Sequence, residues 1–137
     1  MTLHVAVITP QQPVYADDVD EIVVPTQSGQ LTILPEHIAL LTPITPGEMI
    51  IKKDGKEELM AITGGFLEVG ENTVTILADY AVRGSNIQVA KAQEAKKRAE
   101  KAMAEKATDR DFAEAEAQLR RSLLELKVAD KLKKRSI

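Results

Sequence analysis

The chain has 137 residues, enough for one domain or a small domain with an extension, and its core must be aliphatic because aromatic residues make up only 3%. Cysteine is absent, which excludes disulfides and thiolate metal sites; no apolar run approaches the ~20 residues that cross a bilayer, and the first residues do not resemble a signal peptide. The net charge of −3 divides into −8 over residues 1–84 and +5 over residues 85–137, which predicts two modules with different partners.

The first 84 residues carry short runs of β-forming side chains separated by turn residues. Asp54-Gly55 predicts a β-hairpin with a tight turn, and Gly70–Asn72 predicts a second hairpin. Besides the arms of these hairpins, the candidate strands are Leu3–Thr9, Val14–Ala16, Asp20–Thr26 and Leu31–Leu34. Many short strands at close spacing favour an antiparallel β-sandwich or barrel over a parallel sheet.

Residues 29–47, GQLTILPEHIALLTPITPG, form an apolar stretch that prolines at positions 35, 43 and 46 interrupt. Because proline lacks a backbone N–H, the sequence excludes a regular helix or a central strand through this stretch. We therefore expect a shaped surface between strands, with Leu31, Ile33 and Leu34 contributing to the core at its start.

The two histidines give little support for catalysis. His4 and His37 lie in different β segments, with no Cys and no evident Ser/His/Asp set. A metal site needs three or four ligands, which a single imidazole cannot supply. His37 is therefore interpreted as a structural or partner-facing residue rather than as a metal ligand or catalytic base.

Three residue pairs in the β half resemble functional motifs but are better read as structure. Asp17-Asp18 and Asp20-Glu21 are acidic pairs beside strands, where such charges are usually solvated rather than general acids or bases. Gly64-Gly65 lacks the surroundings of a phosphate-binding loop and predicts a turn or a close approach of two backbones.

After Gly84 the composition changes, since no further Gly or Pro occurs and the helix formers Ala, Lys, Glu, Leu and Arg dominate. Ser85–Gln88 matches a capping box, and Thr108–Asp111 matches a second helix start. The sequence predicts two helices, at about 87–106 and 110–133, that fold back as an antiparallel hairpin.

The predicted inward faces of the two helices are poor in large side chains. We expect them to consist of Ala92, Ala95, Ala99 and Ala102 on the first helix and Phe112, Ala115, Leu119, Leu123 and Leu126 on the second. Burying a Leu stabilises by about 1.5–3 kcal/mol, whereas ordering each residue costs about 1–2 kcal/mol. The hairpin is therefore marginal alone and needs the β module or a partner to stay folded.

The end of the chain is basic. From Arg120 onward the chain contains seven cationic residues but only two acidic ones, Glu125 and Asp130. The cationic residues are Arg120, Arg121, Lys127, Lys131, Lys133, Lys134 and Arg135. A solvated helix face is the plainest reading. Nucleic acid is disfavoured because aromatic residues are not interleaved, and membrane insertion because no bulky aromatic stripe accompanies the charge. An acidic protein surface remains as the functional alternative.

Two motifs in order, followed by the helical hairpin, resemble the epsilon subunits of bacterial F-type ATP synthases over essentially the whole chain. Residues 29–47 are similar to the family's Gly-x-Leu-Gly-Ile-Leu-Pro-Gly-His stretch. Residues 62–79, ITGGFLEVGENTVTILAD, are similar to its Ser-Gly-Gly-Phe-Leu-Glu-Val and Val-Thr-Ile-Leu-Ala segments. Thr32 and Glu36 stand where the family usually has Gly.

The resemblance implies a β-sandwich of about ten strands over residues 1–84 and a regulatory two-helix domain over residues 85–137. It implies a non-catalytic rotor subunit of the central stalk, bound to the gamma subunit and the c-ring, and peripheral on the cytoplasmic face of the bacterial plasma membrane. The loop toward the c-ring maps to Leu34, Pro35, Glu36 and His37. The basic residues that would meet an acidic segment of the catalytic beta subunit, and so hold back ATP hydrolysis, map to Arg120, Arg121, Lys131, Lys133 and Lys134.

Some members of this family bind ATP through an Ile/Leu-Asp-x-x-Arg-Ala motif, and residues 87–92 here read Ile-Gln-Val-Ala-Lys-Ala. The resemblance assigns Ile87, Lys91 and Arg98 as nucleotide-contacting candidates. Lysine lacks the planar fork with which arginine grips phosphate, and Gln88 supplies no carboxylate. We expect weak ATP binding or none, and no other cofactor.

Two other classes of function remain open at this point. One is a free-standing β-sandwich binding module whose basic helical hairpin docks on some other acidic protein. The other is an enzyme, which no constellation of residues supports.

Overall fold

The computed structural model describes residues 1–105 and 108–135, and the chain divides into two compact units, Met1–Arg83 and Gly84–Ile137. The strands of the first unit are β1 (Leu3–Ile8), β2 (Pro13–Val19), β3 (Glu21–Thr26), β4 (Gly29–Ile33), β5 (Leu40–Ile44), β6 (Gly47–Lys53), β7 (Lys56–Ile62), β8 (Gly65–Gly70), β9 (Thr73–Ala78) and β10 (Ala81–Arg83). The second unit holds a 3₁₀ turn (Gly84–Asn86), α1 (Val89–Ala104) and α2 (Asp109–Arg135).

The ten strands of the first unit form one sheet that curls almost into a barrel. The strand order is β10-β7-β6-β3-β5-β8-β9-β1-β2, with β4 paired to β3. All pairs are antiparallel except β1 and β9, which run parallel. The predicted fold class, a ten-stranded β module followed by two helices, is confirmed.

Alternating side chains of these strands build an aliphatic core. On β1 the residues Leu3, Val5 and Val7 point inward, while His4 and Ile8 point outward, as the two-residue period of a strand requires. The largest fully buried side chains are Leu3, Ile22, Ile33, Met49, Ile51, Leu59, Met60, Ile62, Leu67 and Ile76. Each such burial stabilises by about 1.5–3 kcal/mol, so this unit has a substantial core.

Both predicted hairpin turns are present. β6 and β7 pair up to Lys53 and Lys56, so Asp54 and Gly55 form a two-residue turn with φ values of 51° and 77°. These positive φ values match the turn type whose twist suits a hairpin and explain the Asp-Gly sequence. β8 and β9 pair up to Gly70 and Thr73 and enclose Glu71 and Asn72 in the second turn.

The expectation that the prolines exclude a central strand from residues 29–47 is wrong at Pro43, because β5 lies between β3 and β8 in the strand order. β5 runs through Pro43 and pairs with β8 along its length. It pairs with β3 only at Ile44, so most of its other side is an open edge. A strand with one open edge tolerates a residue that lacks a backbone donor.

The two helices of the second unit follow the predicted bounds to within two residues at each end. Thr108 caps α2, because its Oγ1 accepts a hydrogen bond from the Asp111 N–H at 3.1 Å. The predicted capping box at Ser85 is wrong. Residues Gly84–Asn86 form a 3₁₀ turn, and the residue before α1 is Gln88, which makes no side-chain cap. Neither helix, within the residues the structure describes, has the length and hydropathy of a membrane span.

The helices meet through small side chains. Ala92 and Ala99 on α1 and Ala115 on α2 are buried, as predicted. Phe112 and Leu123 were predicted to face inward, but they are 42% and 45% exposed. Where alanines bring two backbones close together, larger side chains flank the contact instead of filling it. The predicted inward face of the second helix also lacked Ser122 and Val128, which are buried.

Candidate functional site

A row of exposed apolar side chains crosses four neighbouring strands of the β unit. The registers place Pro43 beside Phe66, Phe66 beside Leu77, and Leu77 beside Ile8. Phe66 and Leu77 are each 53% exposed and Ile8 is 39% exposed. We name these four residues the apolar row. Neighbouring exposed apolar side chains of this kind are a candidate docking surface for another protein.

Gly65 explains how Phe66 comes to lie in the apolar row. Its φ is +136°, and a Cβ built on it would lie 2.0 Å from the carbonyl oxygen of Leu77. Only a residue without a side chain lets β8 and β9 approach this closely. The predicted close backbone approach at Gly64-Gly65 is therefore confirmed.

The loop between β4 and β5, residues 34–39, is a second exposed surface of this unit, and we name it the tip loop. Leu34 is 52% exposed and Ile38 is 80% exposed, while Pro35 and His37 are half-buried. Glu36 is exposed and has a φ of +67°, in the left-handed region that favours glycine. The tip loop thus presents two apolar side chains on either side of a carboxylate.

Short hydrogen bonds shape the tip loop. The His37 N–H donates to the Leu34 carbonyl at 3.2 Å, which closes a turn. The ring Nδ1 of His37 lies 2.7 Å from the Ile38 carbonyl oxygen, which can only accept, so this nitrogen carries the proton. The Glu36 N–H donates to the side-chain oxygen of Asn72 at 2.7 Å. His37 is therefore a structural and surface residue of the loop.

The acidic pairs of the β half each have a structural partner. Asp17 lies 2.6 Å from Lys53, and Glu21 lies 3.0 Å from Lys52. The hydrogen bond from Lys53 lowers the pKa of Asp17 and raises the pKa of Lys53 itself. The remaining contacts are Asp18 with the His4 ring and Asp20 with the Asp54 N–H. Each of these acids thus has a contact that accounts for it without a role in catalysis.

A cleft of about 550 Å³ opens beside Tyr15, between β2 and the β6–β7 hairpin. Its lining carries the cations Lys53, Lys56 and Arg83 and four carboxylates; Lys53 pairs with Asp17, and Arg83 pairs with Glu58 and lies over the Tyr15 ring. Burial is the main cause that raises the pKa of Tyr15. The cleft therefore offers no excess of positive charge to an anionic ligand.

The five basic candidates of α2 do not share one face. Lys131 and Lys134 follow Arg120 by eleven and fourteen residues. At 3.6 residues per turn, both spacings return to nearly the same side of the helix as Arg120. Arg121 and Lys133 lie about 100° and 140° away from Arg120 around the axis.

Lys127 completes this face and was missed as a site candidate. It follows Arg120 by seven residues and is exposed, so it joins Arg120, Lys131 and Lys134 in what we name the cationic stripe. Helical spacing, rather than proximity to the end of the chain, would have found it. Acids on the same helix temper the charge, since Arg120 pairs with Glu116 and Lys134 with Asp130 at 3.1 Å.

The three nucleotide candidates lie on α1 and just before it. Lys91 and Arg98 are both exposed and lie seven residues apart on α1, about 10 Å along its axis. Ile87 precedes the helix, and its N–H donates to the Gly84 carbonyl at 3.2 Å. Arg98 lines a groove of about 570 Å³ between α1 and α2; the other charged residues in the described part of its lining are Glu105, Asp111 and Glu114.

The described part of the chain contains no cluster of residues that could bind a metal ion. Within residues 1–105 and 108–135, no group of three or more His, Cys, Asp and Glu side chains is arranged to hold a metal ion. The two histidines contact Asp18 and the Ile38 carbonyl instead.

Comparisons with known proteins identify the family of the chain. The family model of the ATP synthase delta/epsilon chain β-sandwich domain matches residues 2–84, and the long alpha-helix domain of the same chain matches residues 85–130. The ATP synthase epsilon chain of Caldanaerobacter subterraneus subsp. tengcongensis is 45% identical over 131 residues, covering 95% of each chain. The epsilon chain of Halalkalibacterium halodurans is 47% identical over 129 residues, covering 93% of this chain and 97% of the relative.

A solved structure shows the same fold at much lower identity. A chain in the cryo-EM structure of the Euglena gracilis mitochondrial ATP synthase, which contains OSCP, F1 and the c-ring, superposes with a TM-score of 0.71. The two are 20% identical, and the match covers 87% of this chain and 76% of the other. The likeness extends across both modules of the chain.

Proposed function

Because the chain belongs to the delta/epsilon chains of ATP synthase, we propose that it is a central-stalk rotor subunit that binds the gamma subunit and the c-ring and restrains ATP hydrolysis through its helices. It is by itself a non-catalytic subunit of the ATPase complex. Its part in ATP synthesis is to couple rotation, so its function depends on the surfaces it offers to its partners.

The apolar row is the proposed contact with the gamma subunit. Phe66 and Leu77 sit side by side on rigid strands, where docking costs little conformational entropy. Aromatic residues at the centre of an interface commonly carry much of the binding energy. A β-sheet surface with its side chains already in place is suited to a permanent contact with a rotating shaft.

The tip loop is the proposed contact with the c-ring. Leu34 and Ile38 project apolar side chains from the loop, and the exposed carboxylate of Glu36 lies between them. Docking of this loop on a ring embedded in the membrane would hold the subunit peripherally, on the cytoplasmic face of the bacterial plasma membrane. This location requires no segment of the chain to enter the bilayer and no contact with nucleic acid.

The cationic stripe of α2 is the proposed contact with an acidic segment of the catalytic beta subunit. Arg120, Lys127, Lys131 and Lys134 would present a line of positive charge to that segment. Pairing with Glu116 and Asp130 would have to be exchanged for the partner's acids. Such an exchange between exposed ion pairs costs little, which suits a reversible brake.

We propose that ATP binds the isolated chain weakly or not at all. The groove beside Arg98 holds three carboxylates and would repel a triphosphate. Gln88 and Lys91 also replace the acidic and arginine positions of the family's nucleotide motif. Calorimetric titration of ATP into the full chain should give no heat at micromolar concentrations, and tight micromolar binding would contradict this part of the proposal.

The apolar row is the observation that carries the proposed function, and the two phenylalanines of the chain provide a matched test. Phe66 is 53% exposed in the row, and Phe112 is 42% exposed on α2. Phe66→Ser should weaken binding of the full chain to purified gamma by about thirtyfold or more, since truncating an interface hot spot costs at least about 2 kcal/mol.

Phe112→Ser is the control, and its affinity for gamma should match that of the unmodified chain. The proposal fails if both variants bind gamma equally well. It also fails if the unmodified chain binds neither gamma nor the c-ring, since the chain would then act as a binding module for some other protein.

A further inference from the structure

We propose that Asn72 is a positioning residue that holds the tip loop in the conformation in which it docks. The inference rests on the proposed function, because docking of the tip loop on the c-ring is part of that proposal. It goes beyond it by assigning the loop's geometry to a residue in a different hairpin, 36 positions further along the chain.

Asn72 joins three segments of the β unit. It occupies the second position of the β8–β9 turn, where its φ is +51°. Its backbone carbonyl accepts a hydrogen bond from the His4 N–H at 2.9 Å, which ties the turn to the start of β1. Its side-chain oxygen accepts from the Glu36 N–H at 2.7 Å, which ties the same turn to the tip loop.

Asparagine is suited both to the left-handed turn and to the hydrogen bond with the tip loop. Asparagine enters the left-handed region more readily than other residues with a Cβ, as this turn requires. Its short amide also carries an acceptor oxygen that can reach a neighbouring backbone. Glycine would satisfy the turn but not the tip loop, and aspartate would satisfy both.

The tip loop needs this restraint because Glu36 adopts a φ of +67°, which an L-residue avoids unless its surroundings hold it. The bond from the Glu36 N–H to Asn72 fixes the orientation of the peptide between Pro35 and Glu36. Without this bond, Glu36 would be free to return to negative φ. The exposed side chains of Leu34 and Ile38 would then move relative to each other.

A loop that is already in its docking conformation pays less entropy when it binds. One hydrogen bond of this kind corresponds to an effect of about threefold to tenfold on an equilibrium constant. We therefore expect Asn72 to change the affinity for the c-ring by that factor without making contact with the ring.

The test compares Asn72→Gly with Asn72→Asp in the full chain. Glycine keeps the left-handed turn but removes the acceptor, whereas aspartate keeps both. Asn72→Gly should accelerate hydrogen exchange of the Glu36 amide by tenfold or more, and weaken binding to a purified gamma–c-ring complex about threefold to tenfold. Asn72→Asp should keep both quantities close to those of the unmodified chain.

Thermal unfolding distinguishes a change in the position of the tip loop from a loss of stability of the whole chain. The Tm of Asn72→Gly should stay close to that of the unmodified chain, since the turn itself is preserved. The inference is overturned if the Glu36 amide exchanges no faster in Asn72→Gly. It is equally overturned if the exchange accelerates and the affinity does not change.

Ile38→Ser distinguishes this inference from the proposed function. Ile38 is 80% exposed on the tip loop and is not bonded through its side chain, so the substitution removes a docking contact without altering the loop's restraint. If Ile38→Ser weakens binding and Asn72→Gly does not, only the positioning role is wrong. If neither substitution weakens binding, the tip loop does not dock, and the proposed c-ring contact fails together with the inference.

Discussion

The β unit and the helical unit bury side chains of very different size. The β unit encloses whole residues such as Ile22, Leu67 and Ile76 with no exposed area. The helices bury mostly Ala and Ser at their closest approach. At about 0.8 kcal/mol per buried CH₂, an alanine contributes far less than an isoleucine. One chain thus combines a firmly packed frame with a hairpin of low intrinsic stability.

This difference fits the two proposed roles. Surfaces that must keep a constant shape, the apolar row and the tip loop, lie on the firmly packed frame. The cationic stripe, proposed to act as a reversible brake, lies on the element with the smaller core. Segments with few buried apolar contacts open at a lower free energy than core strands, so the hairpin is the element best suited to rearrange.

The largest effect that would test the firmness of the frame is expected at Gly65. Gly65→Ala should lower the free energy of unfolding by more than about 4 kcal/mol or prevent folding, because its Cβ would lie 2.0 Å from the Leu77 carbonyl oxygen. Urea unfolding followed by circular dichroism measures this cost.

Gly29 supplies the control for that substitution. Its φ is also positive, at +107°, but nothing lies within 4 Å of a Cβ built there. Gly29→Ala should therefore cost only the backbone strain, about 1–2 kcal/mol. Equal costs at the two glycines would show that the strands can separate, and that the frame is less firmly packed than described.

The two modules can be compared directly by truncating one large side chain in each. Ile76→Ala should cost about 2–5 kcal/mol, because it leaves a cavity in the β core. Leu126→Ala, at a half-buried position of α2, should cost less than about 1.5 kcal/mol. Hydrogen exchange of the full chain, resolved by segment, assigns each loss to its module. A larger cost at Leu126 would reverse the comparison.

A smaller effect is expected from the cationic stripe, since exposed ion pairs contribute only about 0.2–1 kcal/mol each. Replacing Arg120, Lys127, Lys131 and Lys134 together by Ala should raise ATP hydrolysis by the assembled enzyme severalfold, and inhibition by the unmodified chain should weaken as salt increases. Arg121→Ala with Lys133→Ala, which removes two charges from other faces, is the control for Arg120→Ala with Lys127→Ala, which removes two charges from the stripe. Equal rises in these two double variants would mean that total charge matters and not the stripe.

The smallest effect concerns the ion pair of Asp17 and Lys53 on the frame. The hydrogen bond from Lys53 lowers the pKa of Asp17 below its usual 3.8, so the pair stabilises the fold above that pH. This contribution is lost as the pH falls through the lowered pKa. The Tm of Asp17→Asn should therefore lie slightly below that of the unmodified chain at neutral pH, and the gap should close in acid. A gap that persists at low pH would assign the effect to packing.

The features that depend on a few neighbouring residues could be predicted from the local sequence. Asp54-Gly55 specifies its turn because both positions need positive φ, and Thr108 caps α2 through its own hydroxyl. These outcomes require no knowledge of distant parts of the chain. The resemblance to the family, which rested on two longer motifs, was likewise sufficient to predict both modules in order.

Features that depend on contacts between distant parts of the chain could not be predicted from the sequence. Pro43 lies in a strand because one side of β5 is an open edge, and this depends on where β3 ends. The acceptor role of Asn72 toward Glu36 depends on two hairpins meeting in space. Neither relation leaves a periodic signal. Lys127 differs from these cases, because helical spacing alone places it in the cationic stripe.

We propose that the β unit docks on the rotor while the helical unit restrains hydrolysis. The most direct test assembles the ATP synthase with either the full chain or a chain that ends at Gly84, and measures the ATP hydrolysis rate together with the amount of the chain retained in the complex. We predict that the shortened chain is retained and that hydrolysis rises. Retention with an unchanged rate, or loss of the shortened chain from the complex, would contradict it.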